Sequence, residues 1–183
     1  MAKAYVMLAD GFELIEAMAP VDVLDRAKIQ VSTVSITGKK RVQSSHVVAV
    51  EAQHLIEDVD FSDADLVVLP GGYPGYVNLC QSPLVGKVAR EQYESGRLLG
   101  AICGAPMVLQ TYGIARGSQI SCHHSVASRL TDYELTGREV TVDRNLITGA
   151  GAGVSVKFSL YMAGLLLDDE EDLMHLMHGL ELR

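Results

Sequence analysis

Short apolar runs alternate along this chain with longer stretches of helical period, and the alternation sets the expected architecture. Residues 4–9 form an apolar run closed at once by Asp10-Gly11, which reads as a first buried strand. Residues 13–27 place Leu14, Ala17, Met18, Val21 and Leu24 on one helical face. Pro20 lies inside that pattern and predicts a late start or a kink. Residues 30–36, rich in Val, Ser, Thr and Ile, and the shorter 47–50 read as strands. Leu66-Val67-Val68-Leu69 is a buried strand stopped by Pro70-Gly71-Gly72. Residues 84–94 form a helix that ends at Gly96, the expected C-terminal residue. A buried strand at 98–102 leads into a short helix at 105–111 ending near Gly113. Residues 120–122 look like a strand end, and 139–142 with 146–148 predict a hairpin turning near Asp143-Arg144-Asn145. Residues 154–167 form a strongly apolar helix, and Asp168-Asp169-Glu170-Glu171-Asp172 opens a last one, its acids favoured by the N-terminal dipole.

Strand and helix alternating at this spacing predict an α/β fold: an open, mostly parallel sheet with helices on both faces. The chain of 183 residues reads as one domain over residues 1–183, with no internal repeat or linker. Apolar residues at 48% and charged residues at 21% exclude a disordered or collagen-like chain. No apolar run approaches the roughly 18 residues of a membrane span. Fifteen Lys and Arg against 23 Asp and Glu leave a net charge of −8, without a basic cluster, so neither nucleic acid nor an anionic membrane is an expected partner. The N-terminus lacks the longer apolar region and cleavage site of a signal peptide. Cys80, Cys103 and Cys122 are odd in number and have no C-x-x-C spacing, which argues against a disulfide framework and a zinc site. The expected location is cytoplasmic, with reduced thiols.

Open α/β sheets place their sites at the carboxyl ends of the strands, and three such ends carry unusual residues. In Gly100-Ala101-Ile102-Cys103-Gly104-Ala105-Pro106 a cysteine stands at a strand-to-helix junction between small residues, the spacing of a nucleophile elbow with Ala101 and Ala105 in place of glycine. Large neighbours would collide in so tight a turn, and Pro106 suits the first helical turn. A thiol at a helix N-terminus is expected to ionise more readily; the alternative is that Cys103 is only a small buried apolar residue. Gly71 and Gly72 let backbone N–H groups approach a ligand and could join Gly104 in an oxyanion pocket, though alone they describe an ordinary turn. In Ser121-Cys122-His123-His124 either histidine could carry protons, and spacing does not choose between them. His46, His54, His175 and His178 default to the surface. Glu13 and Glu16 follow the first strand, where a carboxyl could lie over Cys103 or simply be a surface acid.

Taken together, these segments resemble the ThiJ/PfpI superfamily, in its Parkinsonism-associated deglycase-like branch. The resemblance runs over nearly the whole chain, through Glu13-Leu14-Ile15-Glu16-Ala17, Pro20-Val21-Asp22-Val23, Val42-Gln43-Ser44-Ser45, Val67 to Gly72, Ala101 to Pro106 and Gly151-Ala152-Gly153. It implies a flavodoxin-like, class I glutamine-amidotransferase-like sheet. By position it assigns the family's elbow cysteine to Cys103, its glutamic acid to Glu16 rather than Glu13, and its histidine to His123 rather than His124. The glutamic acid is implied to be protonated and to donate a hydrogen bond to the sulfur. Three positions depart from relatives. Gly104 stands where the protease-like branch has a histidine, which weakens a peptidase reading. His46 takes the place of a basic residue, and Ala152 interrupts a Gly-Pro-Gly turn.

The resemblance implies a cofactor-free, metal-free enzyme acting on small 2-oxoaldehydes or their adducts, glyoxalase- or deglycase-like. Cys103 would be the nucleophile, Glu16 the proton shuttle and His123 an assistant, with Gly71, Gly72 and Gly104 holding the oxyanion. The partners implied are a small carbonyl substrate and a second copy in a homodimer that buries parts of the first helix and residues 42–46. Two other readings use the same thiol: a redox-sensing or chaperone-like stress protein with Cys103 oxidised to sulfinic acid, and a protease- or amidase-like small-substrate hydrolase.

Overall fold

The computed structural model describes residues 1–182. In chain order the main elements are β1 (Lys3–Leu8), α1 (Leu14–Arg26), β2 (Gln30–Ser35), β3 (Arg41–Gln43), β4 (Ala49–Glu51), β5 (His54–Leu55) and β6 (Leu66–Leu69). They continue with α2 (Gly75–Gln81), α3 (Pro83–Glu94), β7 (Leu98–Ile102), α4 (Pro106–Tyr112), β8 (Gln119–Ile120), α5 (His124–Ala127) and β9 (Glu134–Leu135). The last are β10 (Val140–Asp143), β11 (Leu146–Gly149), α6 (Ser155–Leu166) and α7 (Glu170–Gly179).

Seven strands form the central sheet in the order β10-β11-β7-β6-β1-β2-β5. Every neighbouring pair is parallel except the β10–β11 hairpin. The period of two along each strand sends alternate residues to opposite faces. Val67 and Leu69 join Met7, Leu99 and Ala101 under α2, α3 and α4, which supply Leu79, Val85, Ala89, Val108 and Leu109. Leu66 and Val68 join Ala4, Val6, Leu8 and Ile147 under α1 and α6, which supply Ala17, Leu24, Phe158 and Met162. Both faces are therefore dry, as the continuous apolar runs require. The β1 chain moves one way along the sheet to β2, and β6 returns on its other side, so the strand order reverses between β1 and β6. Ligand sites in such sheets form at the carboxyl ends beside that reversal.

Several boundaries differ from expectation. Helix α1 starts at Leu14 and runs past a buried Pro20 to Arg26; the missing N–H leaves the Glu16 carbonyl without its usual partner four residues on. The strand expected at 47–50 lies at Ala49–Glu51 and pairs with β3 in a separate ribbon, leaving Val47 99% exposed. The strand end expected at 120–122 is Gln119–Ile120. Helix α7 starts at Glu170, where the Asp169 side chain caps the N–H of Glu171. Ser82 caps α3 in the same way, and α4 ends on Gly113 at φ 61°. Among the described residues no helix is long and apolar enough to cross a membrane.

Candidate active site

Strand β7 delivers the chain to Cys103 at φ 63°, a left-handed conformation that residues other than glycine seldom adopt. Both of its backbone groups are pinned. Its N–H donates to the Gly149 carbonyl at the end of β11, and its carbonyl accepts from the His123 N–H, each at 2.9 Å. Such strain persists only where the surroundings over-determine it. Ala101 and Ala105 are fully buried on either side, leaving no room for larger side chains. A Cβ on Gly104 would fall 2.5 Å from the Tyr76 ring.

Glu16 projects from the first turn of α1 and is completely buried. Its Oε2 accepts from the Gly71 N–H at 2.9 Å, at the end of β6. A Cβ on Gly71 would meet Cys103 Cβ and Glu16 Oε2 at 2.7 Å each, and the Gly104 nitrogen at 3.0 Å. Thiol, carboxyl and elbow amide thus surround one point, and only glycine leaves that point open. Because the Gly71 N–H is taken by Glu16, it does not join the set of three amides expected to face an oxyanion. Glu16 Oε1 is buried without a hydrogen-bond partner of good geometry, and the Cys103 thiol is the side chain that bears on this carboxyl.

Burial pushes the Glu16 carboxyl up to about 7, against the opposing pull of the Cys103 thiol and the Gly71 N–H. Burial also pushes the Cys103 thiol up to about 12, the negative Glu16 adding to it, while the N–H groups of Gly72 and Gly104 pull the other way. This departs from the expected thiol lowered by a helix dipole: α4 has only seven residues, and desolvation outweighs it. The two shifts describe one coupled pair, which loses its first proton near neutrality and keeps its second because two like charges cannot share the site. Amides of Gly72 and Gly104 favour that single charge on sulfur, and the Gly71 amide favours it on oxygen.

The structure separates the paired candidates. Glu13 turns away to Ser45 and His46: the Ser45 hydroxyl donates to its Oε2 at 3.2 Å, and His46 Nε2 lies 3.0 Å from the same oxygen. That leaves Glu16 alone beside the thiol. His123 is half-buried and hydrogen-bonded through its backbone to Cys103, whereas His124 is exposed. The Ser125 N–H donates to His123 Nδ1 at 3.3 Å, which places the proton of the neutral ring on Nε2. The His123 ring edge lies 3.5 Å from the position of a Cβ on Gly151, bringing the Gly151-Ala152-Gly153 turn to the same mouth. Tyr76, which no sequence pattern singled out, covers Gly104 from α2. Among the described residues no group of three or more His, Cys, Asp or Glu side chains is placed to hold a metal ion.

An open, mostly parallel flavodoxin-like sheet with a strained cysteine elbow beside a buried carboxyl defines a class of cysteine-centred α/β proteins. Within it, this chain belongs to the DJ-1/PfpI family, whose profile matches residues 2–164. It is 36% identical over 172 residues to the Parkinson disease protein 7 homolog of Danio rerio, covering 92% of this chain and 91% of that one. It is 30% identical over 161 residues to the glutathione-independent glyoxalase DJR-1.2 of Caenorhabditis elegans, covering 87% and 85%. The crystal structure of Drosophila melanogaster DJ-1beta superposes with a TM-score of 0.95 at 34% identity, over 100% of this chain and 98% of that one.

Proposed function

We propose that this protein is a cofactor-free enzyme that converts small 2-oxoaldehydes, or their adducts, to 2-hydroxy acids through Cys103. The observation that carries the reading is the Cys103–Glu16 pair: a buried carboxyl that titrates to about 7 against a thiol held at a strained elbow. The glyoxalase name of the nematode relative supports the same chemistry.

In the reactive form the pair's charge sits on sulfur and Glu16 holds the proton. The thiolate adds to the aldehyde carbon, the C=O pair moves to oxygen, and that oxygen takes the Glu16 proton to give a hemithioacetal. Glu16, now ionised, removes the hydrogen from that carbon, giving an enediolate; the hydroxyl proton passes from the first oxygen to the second, and Glu16 returns its proton to the neighbouring carbon. The product is a 2-hydroxy thioester. Water hydrolyses it, releasing the 2-hydroxy acid and regenerating the pair with one proton. The Gly72 and Gly104 amides stabilise charge at the reacting centre, and His123 Nε2–H donates to the substrate's second oxygen.

The test is the pH dependence of Cys103 alkylation, followed by peptide mass spectrometry, together with methylglyoxal turnover in the wild type and Glu16→Gln. Reactivity is expected to rise near 7, where the coupled pair loses its first proton, well below the value of about 12 for the thiol beside a charged Glu16. In Glu16→Gln the step near neutrality should be lost and the midpoint should move upward, because the thiol then titrates alone and its burial keeps it high, and turnover should disappear. A variant with unchanged midpoint and full turnover would overturn the mechanism. If turnover is lost while peroxide still oxidises Cys103, the proton shuttle belongs to the aldehyde chemistry and not to the redox reading.

A further inference from the structure

Across the Tyr76 ring from the elbow residue Gly104 lies a cation that the mechanism does not use. The Tyr76 ring packs against Gly104, the residue after the nucleophile, so closely that a Cβ there would sit 2.5 Å from it. At the far end of the ring the Arg129 guanidinium donates through Nη2 to the Tyr76 hydroxyl at 2.9 Å. Its carbon lies 5.9 Å from the ring centroid, within range of a cation–π contact. Arg129 follows α5 closely, and the N-cap of that helix is His123, whose backbone is tied to the Cys103 carbonyl. Its charge also bears on Cys80, one turn along α2 from Tyr76.

Arg129 is exposed, and among the described residues it has no carboxylate partner. Among the described residues Arg41, Arg97 and Arg138 also lack a carboxylate partner, and Arg129 is the one of these arginines held by a tyrosine hydroxyl. One of its five N–H donors is used on Tyr76; the rest remain in a planar fork that matches a carboxylate. A single guanidinium suits a monoanion better than a phosphate dianion. Tyr73, 74% exposed with its ring 6.3 Å from that of Tyr76, extends the same wall.

We propose that Arg129, positioned by Tyr76, recognises a carboxylate on the substrate and selects 2-oxoaldehydes, or adducts, that carry one over neutral ones such as methylglyoxal. The inference deepens the aldehyde reading above and rests on it for the identity of the reaction. The existence of an anion site beside Cys103 does not depend on turnover and is tested apart from it.

The first measurement is the ratio of Cys103 alkylation rates by iodoacetate and iodoacetamide, read on the Cys103 peptide for the wild type, Arg129→Gln, Arg129→Lys and Tyr76→Phe. A charge-assisted contact of this kind predicts that the ratio falls roughly tenfold in Arg129→Gln. It should fall less in Tyr76→Phe, which keeps the ring but frees the arginine, and should largely survive in Arg129→Lys. The second is the ratio of kcat/KM for 4,5-dioxopentanoate to that for methylglyoxal, which should fall in the same order. An alkylation ratio equal in wild type and Arg129→Gln would overturn the proposal whatever the turnover. So would equal losses on both aldehydes. A falling alkylation ratio in a protein that turns over neither aldehyde would uphold the anion site and refute the glyoxalase reading.

Discussion

At the residue scale, the candidate site depends on the absence of a side chain as much as on those present. Gly71 is required not by its backbone angle but by the three groups that crowd its α-carbon: the Cys103 Cβ, the Glu16 carboxyl and the Gly104 nitrogen. None can yield cheaply, since the first and third belong to a pinned elbow and the second is held by the Gly71 N–H itself. Gly71→Ala is therefore expected to separate thiol from carboxyl. We predict at least a tenfold loss of Cys103 reactivity and a destabilisation of about 1–3 kcal/mol, the usual cost of overpacking. Gly153→Ala is the matched control, because nothing lies within 4 Å of its Cβ position. Alkylation rates and urea midpoints of the two variants check the contrast. The same scale shows why two glutamates three residues apart differ in chemistry: Glu13 finds Ser45 and His46 at the half-exposed entry of α1, and Glu16, one helical turn on, is driven under the sheet edge.

At the element scale, legibility followed length and locality. The long apolar strands β1, β6 and β7 and the periodic helices α1, α3 and α6 stand out in the sequence because burial on a face repeats at a fixed period. Helix α2 does not. Its Pro74-Gly75 start reads as a turn, and Gly75 is there because a Cβ would meet the backbone of Gly11 and Phe12 at 2.6–2.7 Å, a tertiary reason. The ribbons β3–β4 and β8–β9 are too short for any period to show. The elbow was legible because its small residues are adjacent in sequence; the Tyr76–Arg129 pair was not, because 53 residues separate its members. Packing of α6 on the sheet gives a test of the element itself. Phe158 is fully buried, and Cβ atoms on Gly100 of β7 and Gly149 of β11 would lie 3.1 and 3.2 Å from its ring. Glycines in both strands thus let one aromatic ring seat directly on the sheet backbone. Phe158→Ala should cost about 3–5 kcal/mol, the range for a buried aromatic with little room to collapse, measured as a shift in urea midpoint at unchanged slope.

At the scale of the whole molecule, the reversal of strand order between β1 and β6 gathers groups from far-apart segments: Glu16 after β1, Gly71 and Gly72 after β6, Cys103 after β7. Holding Glu16 there has a consequence for global stability. Its carboxyl moves from the ordinary 4.5 to about 7 on folding, with burial as the main cause. Below pH 4.5 it is protonated in both states and adds no pH dependence. Between 4.5 and 7 the native state binds the proton more tightly than the unfolded chain, so stability falls as pH rises; above about 7 the loss is complete. A shift of this size corresponds to roughly 3 kcal/mol. Glu16→Gln removes the titration while keeping the shape and an acceptor for the Gly71 N–H. The variant should match the wild type near pH 4.5 and exceed it at pH 8 by up to about 3 kcal/mol, several degrees in Tm for a chain of this length. Other carboxylates contribute equally to both proteins and cancel in the difference. Thermal unfolding of the pair from pH 4.5 to 8 reads it directly. A constant difference across that range would mean that Glu16 is not held neutral by the fold, and the shared proton on which its chemistry depends would go with it.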